Sequence, residues 1–130
     1  KFPFCLLFLM LTLLMACTSY EAPESGMDCA RQFIQATYQG NFKRAKQLLV
    51  PTEENINLLK EQFEKDFRSR NAFEKEKLSN ASITINHSEA KGDSVQIIHF
   101  INAYHGNEQI LKCVKRQGAW QTDLSFSFRK

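Results

Sequence analysis

The order of two hydrophobic periodicities predicts an α+β fold, with N-terminal helices packed on a curved, antiparallel four-stranded meander. Three observations carry this reading. Before Ala81 the apolar residues recur at intervals of three and four, as on one face of a helix. From Ala81 onward they alternate, as on strands. The alternating region is interrupted by Lys91-Gly92-Asp93, His105-Gly106-Asn107 and Gln117-Gly118, turns short enough to make successive strands antiparallel neighbours. A chain of 130 residues with 43% hydrophobic and 24% charged content suits one globular domain and excludes collagen-like, low-complexity and multi-span membrane classes.

Each element has a local reason. Met27 to Gln39 reads as a helix because Ala30, Phe33, Ile34 and Thr37 share a face, and Gly40 ends it. Asn41 caps a second, short helix whose Phe42, Ala45, Leu48 and Leu49 align, and Pro51 stops it. Thr52, followed by Glu53 and Glu54 at the positive end of the dipole, begins a third helix with the stripe Ile56, Leu59, Phe63 and Phe67. The alternating charges from Glu61 to Lys77 read as a solvated face. Ser82–Ser88 alternates next, with Ile83, Ile85 and His87 on one side. Ser94–Tyr104 is apolar on both faces, as a central strand would be, and Glu108–Arg116 follows it. In the last strand, Ala119–Phe128, the residues Trp120, Thr122, Leu124, Phe126 and Phe128 are expected on one side.

The first residues carry a different signal. Residues 2–16 are apolar except for Pro3 and Thr12, follow Lys1, and are too short to span a bilayer comfortably. They read as the apolar core of a secretory signal. Leu14-Met15-Ala16-Cys17 resembles the lipobox of bacterial lipoproteins, in which a small residue precedes a cysteine that takes the lipid. The resemblance implies removal of residues 1–16, lipidation of Cys17, and a protein held in the bacterial cell envelope by its acyl chains, on the periplasmic face or the outer surface of the outer membrane. Residues 17–26 then read as the lipidated cysteine and a polar tether, and residues 27–130 as the single domain. Labelled palmitate is expected to enter the wild-type chain but not Cys17→Ser, which should accumulate as precursor; equal labelling of both would refute the anchor. A formal net charge of +3 is too balanced for a nucleic-acid binder. With Cys5 in the leader and Cys17 under lipid, Cys29 and Cys113 remain. They are expected to be buried, reduced packing residues, although the compartment permits a bridge.

The element order and two short motifs carry a second resemblance. The helix ending Tyr38-Gln39-Gly40-Asn41-Phe42, followed by Ala45 and Leu48, and the turn Lys115-Arg116-Gln117-Gly118-Ala119-Trp120 look like the nuclear transport factor 2-like superfamily, in particular its small secreted lipoproteins. The similarity covers Met27 to Phe128. It implies a cone with a pocket between helices and sheet, and homodimers through the outer sheet face. It does not imply one activity, because the superfamily includes isomerases, dehydratases, transport adaptors and non-catalytic domains.

Candidate pocket residues are Tyr38, Phe63, Asp66, His99, Trp120 and Phe126. Asp66 flanks the Phe63–Phe67 stripe as a proton-transfer group or as the ion-pair partner of a surface cation. Tyr38 is a pocket donor or a packing residue. Trp120, Phe126 and Phe128 floor a pocket, form a dimer face or fill the core. His87 and His99 are expected as diagonal neighbours about 7 Å apart on adjacent strands. They continue apolar faces, so they read as hydrogen-bonded histidines and not as metal ligands; no metal or other cofactor is expected. His105, beside a turn glycine, reads as exposed. Glu89, Asp93, Glu108 and Asp123 fall near turns or on polar faces, and no matched Asp–Tyr or Asp–His set is identifiable. The expected function is therefore a lipid-anchored, non-catalytic domain binding a small apolar ligand or an envelope protein. The alternatives are an isomerase- or dehydratase-like enzyme using Asp66, Tyr38 or His99, and a structural dimerisation module.

Overall fold

The computed structural model describes residues 20–128, so the leader, the Leu14–Cys17 lipobox and its cysteine lie outside the described residues. Helix α1 spans Gly26–Tyr38, α2 Phe42–Gln47 and α3 Glu53–Leu58. Helix α3 continues through a π-helical turn, Leu59–Glu64, into α4, Lys65–Ser69, and α5 covers Ala72–Asn80. Strands β1 (Ile83–Ala90), β2 (Val95–Asn102), β3 (Glu108–Arg116) and β4 (Ala119–Asp123) pair antiparallel in chain order. The fold is α+β, helices against a four-stranded meander.

The helix starts are those the side chains dictate. Ser25 accepts a hydrogen bond from the Asp28 N–H at 3.0 Å, Asn41 from Arg44 at 3.1 Å and Thr52 from Asn55 at 3.2 Å, each satisfying a donor that the first turn leaves free. Gly40, at φ 75°, ends α1 in the left-handed region. A Cβ there would lie 2.5 Å from the Phe67 ring, so α4 packs directly on the α1–α2 junction. From Tyr20 the chain already lies on the helices. The Arg44 guanidinium sits 4.8 Å over the Tyr20 ring and donates to the Glu21 carbonyl at 3.1 Å, while Asn41 donates to the Tyr20 hydroxyl at 2.8 Å.

The core lies between α1 and the inner sheet face. Cys29, Ala30, Phe33 and Ile34 meet Ile98 and Phe100 of β2, Leu111 and Cys113 of β3, and Leu124. Val95, Ile97, His99 and Ile101 of β2 alternate with these and face the other way, as a central strand with two apolar faces predicts.

Four expectations change. A bulge between Ile85 and His87 shifts the β1 register, so His87 does not share the side of Ile83 and Ile85 but pairs directly with His99. The third helix is not uniform α-helix. Leu59, Phe63 and Phe67 are spaced by four, and the wider π turn keeps such a series on one side where an α-helix would let it drift. The charged run does not remain one solvated face: Arg70 leaves the helical region, and an Asn71–Glu74 capping box starts α5. Finally, β4 stops at Asp123, and residues 124–128 form turns. Trp120, Thr122 and Leu124 keep the inward alternation, Phe126 leaves it for the outer face, and Phe128 returns to the inner side against Phe63.

The cause of that last departure is Asn55, only 1% exposed. Its side-chain oxygen accepts from the Leu124 and Ser125 N–H groups at 2.9 and 3.1 Å, and its nitrogen donates to the Val50 carbonyl at 3.1 Å. Backbone donors that would otherwise extend β4 are thereby turned toward α3.

Candidate functional site

The break in helical structure at Arg70 and the turn after β2 bring two groups of side chains to the C-terminal half of α1. Between them lies a cavity of about 580 Å³, within the ~300–1,000 Å³ range of small-molecule sites. Five phenylalanines line it. Phe33 of α1 meets Phe63 edge-on, with ring centroids 5.7 Å apart, and Phe128 meets Phe63 likewise at 5.9 Å. Phe67 and Phe100 contribute further surface.

Much of the rest is polar, including Gln62, Glu108 and Gln109, and one cluster joins Tyr38, Asp66, Arg70 and His105. The Arg70 side chain is 16% exposed and is held from two sides. Its Nε and Nη2 donate to the two Asp66 carboxylate oxygens at 3.1 and 3.3 Å, and its Nη1 reaches the Tyr104 hydroxyl at 3.4 Å. His105 is presented by a turn that Asn102 builds, the buried Asn102 oxygen accepting from the Tyr104 and His105 N–H groups at 2.7 and 3.4 Å. The His105 ring lies 6.1 Å from that of Tyr38.

Burial pushes the Tyr38 phenol up to about 12, with Arg70 opposing the rise and Asp66 adding to it. Burial also pushes the His105 imidazole below its ordinary value, Arg70 acting in the same direction and Asp66 against it. Near neutral pH both groups are therefore uncharged. The Tyr38 residue is 8% exposed, and no hydrogen bond from a described residue reaches its hydroxyl. Donor capacity left open at the wall of a cavity is available to an occupant.

Of the residues selected from sequence, Tyr38, Phe63 and Asp66 meet in this cavity, and the other three do not. His99 is on the outer sheet face, its Nδ1 2.9 Å from a Glu108 carboxylate oxygen and its ring 5.2 Å from that of His87. Trp120 packs at the other end of α1, where a Cβ on Gly26 would come within 3.1 Å of its ring. Phe126 lies on the outer face, its ring 5.8 Å from the Lys112 ammonium. Among the described residues no three His, Cys, Asp or Glu side chains converge as a metal site, and no helix is long and apolar enough to cross a membrane.

The sequence reading omitted Phe33, Arg70, Asn102 and His105 from the site. Phe33 was legible only as core. The signal for His105 was Asn102, three residues earlier, a residue type that closes turns through its side chain. Arg70 carried no local signal, because its role depends on the helix ending beneath it. Compared with known proteins, the chain matches no family model, no curated protein and no solved structure.

Proposed function

We propose that this chain is a lipid-anchored protein of the bacterial envelope whose domain, of the nuclear transport factor 2-like type, retains a small ligand in the cavity beside Tyr38. The observation that carries the reading is a cavity of about 580 Å³, lined by five phenylalanines, with a neutral phenol at its wall whose hydroxyl takes no hydrogen bond from the described residues. The chemistry calls for an aromatic or apolar body bearing one uncharged acceptor, such as a carbonyl oxygen, for the Tyr38 O–H. A free carboxylate would gain less, because Arg70 is already neutralised by Asp66. The same pair favours retention over conversion. An isomerase- or dehydratase-type step needs a free base facing the reacting carbon, and both Asp66 oxygens are engaged by Arg70. The helix–sheet order and the Gly118-Trp120 turn support the fold type, and the Leu14–Cys17 spacing supports the anchor.

The neutral aromatic ketone prodan tests the binding reading on the chain freed of residues 1–19. Its emission is expected to shift to the blue with saturation at one molecule per chain. Tyr38→Phe should weaken binding about five- to tenfold, as the loss of one hydrogen bond predicts. Gln109→Trp, a half-buried cavity position on β3, should fill the space and abolish the shift. Unsaturable emission, or saturation unaffected by Gln109→Trp, would refute this site.

A further inference from the structure

Cys29 in α1 and Cys113 in β3 are both free thiols at 0% exposure. They converge on one atom: the Thr122 hydroxyl oxygen lies 3.6 Å from the Cys29 sulfur and 3.8 Å from the Cys113 sulfur. Thr122, itself fully buried, is the cross-strand partner of Cys113. We propose that Cys29 and Cys113 form a latent disulfide site, closed by a disulfide oxidant into a covalent staple between α1 and the sheet.

The pair is more than two small packing residues. The two sulfurs share the Thr122 hydroxyl, and burial pushes the Cys113 thiol up. With Cys29 as the attacking sulfur, the exchange runs in two displacements. The Cys29 thiolate attacks one sulfur of the oxidant RSSR and expels RS⁻, leaving a mixed disulfide on Cys29. The Cys113 sulfur then displaces the second RS⁻ from Cys29 and closes the protein S–S bond. Two electrons pass to the oxidant, and the two thiol protons end on two RSH molecules. Since both sulfurs are shielded from solvent, the exchange belongs to folding or to an opened state, before α1 is seated. Once closed, the bond joins segments far apart in sequence, where a cross-link most restricts the unfolded chain. It also fixes the helix that brings Phe33, Ile34 and Tyr38 to the cavity.

The test uses the full chain in detergent with Cys5 and Cys17 changed to Ser, refolded in a mixture of oxidised and reduced glutathione, then alkylated and digested with trypsin without reduction. The expected product is the Cys29 peptide ending at Arg31 joined to Cys113-Val114-Lys115. The oxidised chain should melt about 10 °C above the same chain in dithiothreitol. With Cys29→Ala that difference should vanish; should that variant fail to fold, the comparison with and without reductant stands by itself. Recovery of Cys29 and Cys113 as alkylated thiols, or as two separate glutathione adducts, would overturn the proposal.

Discussion

Phe33→Ala is expected to destabilise the fold by about 3–5 kcal/mol, the cost of truncating a fully buried aromatic. Phe33 is 0% exposed and holds the middle of α1 against Phe63. Because it also borders the cavity, the space it vacates joins an existing void that the surrounding walls already keep open. Denaturant unfolding measures the loss, and a value below about 1 kcal/mol would mean that α1 is not docked as described. Phe126→Ala is the informative contrast. Alternation had put Phe126 on the inner side of a long last strand, where it would cost as much as Phe33. The ring lies instead on the outer sheet face beside Lys112, so its removal should cost less than about 1 kcal/mol.

Asn55→Ala is expected to cost about 1–3 kcal/mol, since it leaves the buried Leu124 N–H without an acceptor, while the Ser125 N–H keeps the Asp123 carboxylate and the Val50 carbonyl keeps the Thr52 N–H. Its effect should also be directional. The Leu124 N–H loses its acceptor, and the turns that carry Phe128 to Phe63 lose their tie to α3. Amide exchange should therefore accelerate across residues 124–128 more than across β2 and β3. Unchanged stability, or a uniform acceleration through the sheet, would show that Asn55 does not organise the C-terminal turn.

Residues whose role is set by their own neighbours in sequence were legible; those set by distant partners were not. The caps Asn41 and Thr52 and the alternation of β2 act within a few residues of themselves. The meander followed from Gly92, Gly106 and Gly118, because short turns leave adjacent strands little choice but to pair. Helix α5 was hidden because its only buried residue is Leu78, and one apolar contact gives no periodicity. The premature end of β4 was hidden for another reason, since Asn55 acts across about seventy positions and its own surroundings read as an amphipathic helix. The site behaved likewise. Tyr38, Phe63 and Asp66 stood out as chemistry-bearing types beside apolar stripes, while the alternation of β2, which turns His99 outward, and the turn at Asn102 determined which histidine faces the cavity. That histidine is His105 and not His99.

The segment between α2 and α3 has a consequence for self-association. Beyond β4, Leu49 pairs in parallel with Thr122; the Val50 N–H donates to the Thr122 carbonyl at 2.9 Å, and the Thr122 N–H donates to Leu48 at 2.6 Å. Those backbone groups would otherwise form an open template for another chain's strand, the usual entry to edge-to-edge aggregation. Pro51 then ends the segment with no N–H to offer. The opposite edge is β1, where the bulge beside Asn86 interrupts the ladder and Glu89 adds a charge. The sheet is thus protected by a different device on each side, a short chain segment laid along one edge and a register defect on the other. Opening the first, by detaching residues 48–50, would expose the more regular edge of the two.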